Sequence, residues 1–232
     1  MRVVIVYESL FGNTRQVAEA IAEGVLAVAP EARVTCVRAT EGNRDVAQGA
    51  DLLAVGGPTH VCGLSSGFSR KLGLKAAQVA AAREAGHPLE PGAAGPGIRD
   101  WFMALPKATA GSLGAAFDTR TESLTADPAA DGIAGRLRRH GYELVAEPEG
   151  FIVEAAQGPL RRGDRDRARA WGERLIRAAS ELSRPEPPAG QQANAGQQAH
   201  ADGRPHADGR ANGARPSVNG ARPTARDALL PR

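Results

Sequence analysis

Residues 3–7 read Val-Val-Ile-Val-Tyr, with no polar position among them. Successive side chains of a strand point to opposite faces, so a strand apolar at every position must be covered on both sides. A helical pattern follows almost at once, with Val17, Ile21 and Val25 joined by Ala18, Ala22 and Leu26 on one expected face. A doubly covered strand leading into an amphipathic helix is the opening unit of a parallel sheet. The remainder of the chain repeats this alternation. Residues 33–39 alternate as a second strand, and 51–57 form a third, buried one ending in glycines. A helix is expected over 68–84, an irregular Gly/Pro-rich loop over 86–97, and a short helix from Ile98 stopped by Pro106. Residues 112–120 hold a fourth strand, and the next helix closes at Gly141. Residues 142–154 read as a fifth strand broken at Pro148 and Glu149. The last helix places Trp171, Leu175, Ala179 and Leu182 on one face. Ligands of such sheets bind beyond the carboxyl ends of the strands, where the strand order reverses, so the informative residues should follow strands one, three and four.

With 232 residues the chain can bury one sizeable core and carry extra segments. Aromatics are only 4%, so that core rests on Val, Leu, Ile and Ala. No stretch reaches the length of a membrane span and no cleavage signal is visible at the start, which makes a cytoplasmic location the expectation. Cys36 and Cys62 offer neither a disulfide framework nor metal-ligand spacing. The net charge of +3 resides at the end of the chain: residues 184–232 contain seven arginines and four acids, and the other 22 of 29 basic and 22 of 26 acidic residues balance. That segment repeats itself, with Gly-Gln-Gln-Ala at Gly190 and Gly196, His-Ala-Asp-Gly-Arg at His200 and His206, and Asn-Gly-Ala-Arg-Pro at Asn212 and Asn219. Its composition offers no apolar face to offset the entropy of ordering it, so residues 1–183 are expected to fold and 184–232 to form a disordered tail. It also lacks the aromatics and dense basic runs of a nucleic-acid tether.

The turn after the first strand carries Ser9, Gly12, Asn13 and Thr14. A helix start presents unpaired N–H groups and partial positive charge, Gly12 permits a close backbone approach, and hydroxyls add neutral donors. This suits one buried phosphate. Neither the Walker pattern nor the dinucleotide pattern G-x-G-x-x-G is present. The simpler reading makes Asn13 or Thr14 an N-cap and Ser9 a turn residue.

Tyr7-x-Ser9, then Gly12-x-Thr14, then Ala18 and Ile21 resembles the phosphate-loop signature of flavodoxins. The segment 56–63, Gly-Gly-Pro-Thr-His-Val-Cys-Gly, resembles the second flavin loop of that family, with Pro58 and Thr59 matching and His60 in the position of the usual aromatic. Residues 115–120 correspond to the third loop, without its common tyrosine. The resemblance covers residues 1–183. It implies an α/β, flavodoxin-like three-layer sandwich: a five-stranded parallel sheet of order 2-1-3-4-5 with helices on both faces. It also implies FMN as cofactor, held by Ser9, Leu10, Phe11, Gly12, Asn13 and Thr14 at the phosphate. Pro58, Thr59, His60, Val61, Cys62 and Gly63, with Phe117, Asp118, Thr119 and Arg120, would lie around the ring.

The function so implied is electron transfer through the bound flavin, with a redox partner protein or a small electron acceptor. Two departures favour an alternative, an FMN-dependent NAD(P)H:quinone-type reductase: the formally neutral core, where shuttling flavodoxins are acidic, and the missing Trp and Tyr stackers. A flavin-free interaction module is the third reading. Plainer readings stand beside the individual residues. His60 is a surface loop residue or a flavin contact, Cys62 a small buried residue, Arg120 a surface partner of Asp118, and Trp101 and Trp171 helix-packing groups.

Overall fold

A computed structural model describes residues 1–39, 44–60, 63–64, 67–82, 88–122 and 127–184. The described residues all belong to one unit, Met1–Pro185. The disorder expected of the tail concerns residues that, Arg184 apart, lie outside the described set.

Element order is β1 (Arg2–Tyr7), α1 (Asn13–Val28), β2 (Arg33–Arg38), α2 (Arg44–Ala47), β3 (Leu52–His60), β4 (Gly63–Leu64), α3 (Gly67–Ala82), α4 (Ile98–Ala104), β5 (Leu113–Thr121), α5 (Ala129–His140), β6 (Glu143–Leu144), β7 (Glu149–Val153) and α6 (Asp164–Leu182). The main sheet is parallel and runs β2-β1-β3-β5, with β6 and β7 both pairing to β5. Counted as five strands, with the last in two pieces, this is the order 2-1-3-4-5 of a flavodoxin-like fold. The break in the fifth strand reflects residues 145–148: β6 pairs with the start of β5 and β7 with its second half, and Pro148 between them has no N–H for a ladder.

Both sides of the sheet are covered, as the unbroken apolar strands demand. Val3, Ile5 and Tyr7 pack with Val17, Ile21 and Val25 of α1 and with Trp171, Leu175 and Ile176 of α6. Val4 and Val6 face the other way, into Ile98, Trp101 and Phe102 of α4 and Ile133 and Leu137 of α5. Phe117, Phe151 and Trp171 meet edge to face, with ring centroids 6.1–6.5 Å apart. Phe117 fits only because its neighbour on β3 is Gly56, where a Cβ would lie 2.1 Å from the ring.

Four features depart from the sequence reading. The short α2 was not expected. β3 runs on to His60 and folds back as the antiparallel β4, paired Thr59 to Leu64. Leu26 is 42% exposed because it lies nine residues after Val17, about half a turn around the helix from it. Leu182 is 52% exposed at the end of α6, one turn beyond the last buried residue, Ala179. Among the described residues no helix is long and apolar enough to cross a membrane, and no cluster of three or more His, Cys, Asp or Glu could hold a metal ion.

Helices α1 and α6 touch through their backbones. A Cβ on Gly24 would sit 1.9 Å from the Arg169 carbonyl oxygen, and one on Gly172 would sit 2.2 Å from that of Ile21. Glycine inside a helix is otherwise unfavourable, so the close approach accounts for this pair. Gly172→Ala should therefore lower the denaturation midpoint, by an overpacking penalty of about 1–3 kcal/mol. Gly135→Ala in α5, where nothing lies within 4 Å of the added Cβ, should raise it by about 0.5–1 kcal/mol. Equal effects from the two variants would refute the packing argument.

Candidate functional site

The carboxyl ends of β1, β3, β5 and β7 converge on one edge of the sheet. After β1 the chain turns through Gly12, whose φ of 88° is the left-handed conformation that glycine adopts without strain. The Ser9 hydroxyl accepts a hydrogen bond from the Gly12 N–H at 3.0 Å. Helix α1 then starts at Asn13 with no side-chain cap and no acid in its first turn. This corrects the capping alternative. Asn13 and Thr14 are the first helical residues, and the cap residue is a glycine with no side chain to offer. Thr14 and Thr119 instead share a buried hydrogen bond between hydroxyls, 2.8 Å long. The Asn13 amide donates to the Gln157 carbonyl at 3.1 Å, tying the start of α1 to the segment after β7.

The second and third loops are joined by Asp118, a carboxylate with no exposed surface. Its Oδ2 accepts from the Thr59 hydroxyl at 2.8 Å and the Ala130 N–H at 3.1 Å, and its Oδ1 from Arg120 Nη1 at 2.7 Å. Thr59 Oγ1 in turn accepts the Ala129 N–H at 2.8 Å, so the first turn of α5 is capped from two strands. Burial pushes the Asp118 carboxyl above the usual carboxylate range, against the pull of the Ala130 N–H, the Arg120 charge and the Thr59 hydroxyl. The Asp118–Arg120 pair foreseen at the surface therefore has its acid inside. Arg120 lies across Gly150 of β7, where a Cβ would stand 2.3 Å from its guanidinium.

Between these loops lies a cavity of about 180 Å³. Its polar lining is Ser9, Asn13, Thr14, Thr59, Thr119, Arg120 and Thr121; its apolar lining is Leu10, Phe11, Pro58, Val153 and Ala156. Of the residues singled out from sequence, nine are thus brought together: Ser9, Leu10, Phe11, Asn13, Thr14, Pro58, Thr59, Thr119 and Arg120. Gly12 shapes the turn beside them, and Gly63, with φ 92°, starts β4. Phe117 is fully buried among the core aromatics, and Asp118 sits beneath the cavity as a brace. His60 ends β3, and Val61 and Cys62 lie outside the described residues. Thr121, Val153 and Ala156 were missed. The strand-end rule that pointed to strands one, three and four applies equally to the last strand, followed here by Glu-Ala-Ala-Gln-Gly.

A second cluster, absent from the sequence reading, clamps the first loop from outside. The segment 88–97 is held by the Glu90 N–H donating to the Leu10 carbonyl at 2.9 Å. The Glu90 carboxylate receives Arg15 Nε at 2.5 Å and also pairs with Arg38 Nη2. Arg38 Nη1 donates to the Ser9 carbonyl at 3.1 Å, and its guanidinium lies over the Tyr7 ring, 5.5 Å from the centroid. One carboxylate thereby ties the irregular loop, the start of α1 and the end of β2 around the Ser9 turn.

No protein-family profile matches the chain, and no curated protein matches it. Solved structures do. A flavodoxin from the domain Archaea superposes with a TM-score of 0.51 at 20% identity, over 78% of this chain and 99% of that one. The oxidised Flavodoxin 2 from Bacillus cereus gives 0.52 at 18% identity, over 76% and 99%. A flavodoxin from Streptococcus pneumoniae TIGR4 gives 0.51 at 16% identity, over 76% and 99%. At these identities the likeness establishes the flavodoxin-like fold.

Burial alone would raise the pKa of Glu90, yet the hydrogen bonds and charges of Arg15 and Arg38 outweigh it and hold the group below its ordinary 4.5. A carboxylate with a lowered folded pKa stabilises fully above that ordinary value, and the contribution disappears as pH falls through the lowered one. Glu90→Gln should therefore destabilise the fold at neutral pH, and the gap to the parent protein should close on acidification below about 4.5. Denaturation midpoints at several pH values test this, and a gap that does not change with pH would contradict it.

Proposed function

We propose that the chain binds FMN at the carboxyl edge of the sheet and serves as an electron carrier through it. The observation that supports this most directly is the start of α1, a helix of 16 residues with no side-chain cap and no acid in its first turn, opening beside a cavity lined with hydroxyl-bearing residues. Free N–H groups and partial positive charge at such a terminus suit a phosphate monoester. Ser9, Thr14 and Thr119 add neutral donors, and Arg120 is the only described residue of the lining that carries full charge. Among the described lining residues there is no carboxylate to repel an anion. The volume of about 180 Å³ is less than a whole drug-sized ligand occupies. It suits the phosphate and polyol chain, with the ring lying outward between Pro58 and Arg120.

In this reading the bound flavin accepts and donates one or two electrons. The protein's residues anchor and shield it. Ser9, Gly12, Asn13 and Thr14 hold the phosphate, Thr119 fixes the Thr14 hydroxyl, and Asp118 keeps the second and third loops together. His60, Val61, Cys62 and Gly63 are assigned to the ring edge with Pro58 and Thr59. Phe117 supports the site from the core. The redox partner is a protein or a small acceptor, and the setting is the cytoplasm. A second reading, an FMN-dependent reductase of quinones, is favoured by the cavity lining, where among the described residues Phe11 is the sole aromatic and neither Tyr nor Trp occurs. A ring face not covered by a stacking side chain leaves room for a second substrate.

Titration with FMN, followed by flavin fluorescence, should show saturable quenching. Loss of a hydrogen bond to a charged group corresponds to about 1.5–3 kcal/mol, so Thr14→Ala should weaken binding roughly ten- to hundredfold, while Thr14→Ser keeps most of it. A protein that leaves FMN fluorescence unchanged would sink the flavin reading. NAD(P)H consumption dependent on added quinone would favour the reductase over the carrier.

A further inference from the structure

The unit's ion pairs are distributed unevenly. On the α1–α6 side, Arg15 pairs with Glu19, Arg165 with Glu23, Arg167 with Asp164 and Glu149, and Arg177 with Glu173. The α4–α5 side differs. Arg136 Nη1 donates to the carbonyl of Gly132 in its own helix at 2.9 Å, and Lys107 Nζ to the carbonyl of Arg139 at 2.5 Å. Among the described residues, none of Lys107, Arg136, Arg138 and Arg139 has an ion pair with a carboxylate. Burial, and after it the charges of Arg99 and Arg139, pushes Arg136 below its ordinary value. The acids of this side are few. Asp100 is engaged by Arg70, Asp131 lies at the opposite end of α5 from Arg138 and Arg139, and Glu143 begins β6.

The same side carries an exposed apolar side chain. Met103 of α4 is 85% exposed, the most of any large apolar side chain described. It lies four residues after Arg99, on the same face of the helix. The patch also reaches the candidate site. Arg99 Nη2 donates to the Leu64 carbonyl at 2.8 Å, and Leu64 pairs in β4 with Thr59, which lines the cavity.

We infer that the face formed by Met103, Arg99, Lys107, Arg136 and Arg139 docks an acidic protein, with Met103 as its apolar anchor. Complementary charge identifies the class of partner. Arg136 experiences the positive charges of Arg99 and Arg139, and a carboxylate-rich surface relieves that repulsion while steering the encounter. A flexible, exposed thioether that shares its helix face with a cation suits a small, transient interface, in which an apolar centre is surrounded by a polar rim. The length of the patch supports a protein over a small anion, since Arg136 to His140 of α5 and the Lys107 segment extend well past the reach of one phosphate. The inference stands on this surface and does not require flavin; the reading above adds that the partner is a redox protein.

The test uses the full chain, with its flavin content recorded, and a plant-type [2Fe–2S] ferredoxin as the acidic probe. Association at low ionic strength should shift NMR signals of α4, β4 and α5, and should weaken steadily as salt is added. Arg136→Glu combined with Arg139→Glu should weaken it by about tenfold or more, with FMN titration and circular dichroism unchanged. Met103→Ala should weaken it while leaving the salt dependence as it was. Any one of three results overturns the proposal: no association at low salt, shifts confined to other faces, or tighter arginine-dependent binding of single-stranded DNA than of the ferredoxin. Failure of FMN titration with ferredoxin binding intact would remove the flavin reading and leave this one standing.

Discussion

Asp118 is a charged group with no exposed surface, and the edge of the sheet that carries the candidate site is organised by the need to satisfy it. An isolated buried carboxylate is prohibitively unfavourable; one that accepts several hydrogen bonds and a guanidinium is not. Its donors come from three places: the Thr59 hydroxyl at the end of β3, the N–H of Ala130 in the first turn of α5, and Arg120 two residues further along β5. Meeting the charge therefore brings two strand ends and a helix start together. Thr59, whose hydroxyl accepts from Ala129, belongs to the cavity lining. The position of one wall of the cavity thus follows from a requirement located beneath it.

The opposite wall rests on a second carboxylate used differently. Glu90 lies on a segment with no helix or strand of its own and joins Arg15 to Arg38, which reach it from α1 and β2. Its N–H to Leu10 and the Arg38 bond to the Ser9 carbonyl fix the backbone of the first loop from the outer side. The hydroxyls of Ser9 and Thr14 stay on the inner side. The carboxylates of Asp118 and Glu90 are engaged in holding loops, and the described cavity lining offers neutral donors and the single guanidinium of Arg120. A helix terminus needs such an arrangement to attract an anion, since a carboxylate among the lining residues would cancel the partial charge of the N–H groups.

Much of this was legible in the sequence, and what was not follows a pattern. Strands apolar on both faces, such as residues 3–7, announce their layer because burial leaves no alternative. The turn at Gly12 announces itself because its residue types are few and adjacent. Groups that meet only through tertiary structure leave no such trace: Glu90 is 52 residues from Arg38 and 75 from Arg15. Thr121, Val153 and Ala156 are ordinary residues made relevant by strand length and by the direction in which β7 ends. The exposed Leu26 shows the complementary error, since apolar character at helical spacing was taken as burial although its angle around the helix places it away from the sheet. The β3–β4 hairpin escaped because two paired residues carry no periodicity to read.

Formal charge was the least informative global property, for a physical reason. Equal numbers of acids and bases before the tail imply no net field, yet they do not imply an even one. On the α1–α6 side the charges neutralise each other in pairs across and along the helices. On the α4–α5 side the guanidiniums of Arg136 and Arg99 bond to carbonyls. Encounter between proteins is governed by the local potential within roughly a Debye length of the contact, about 8–10 Å at moderate salt, and not by the sum over the molecule. A neutral domain with segregated faces can steer a partner as strongly as a charged one, and it does so in one orientation. Here that orientation would present β4, and with it the edge of the cavity at Thr59, to whatever docks.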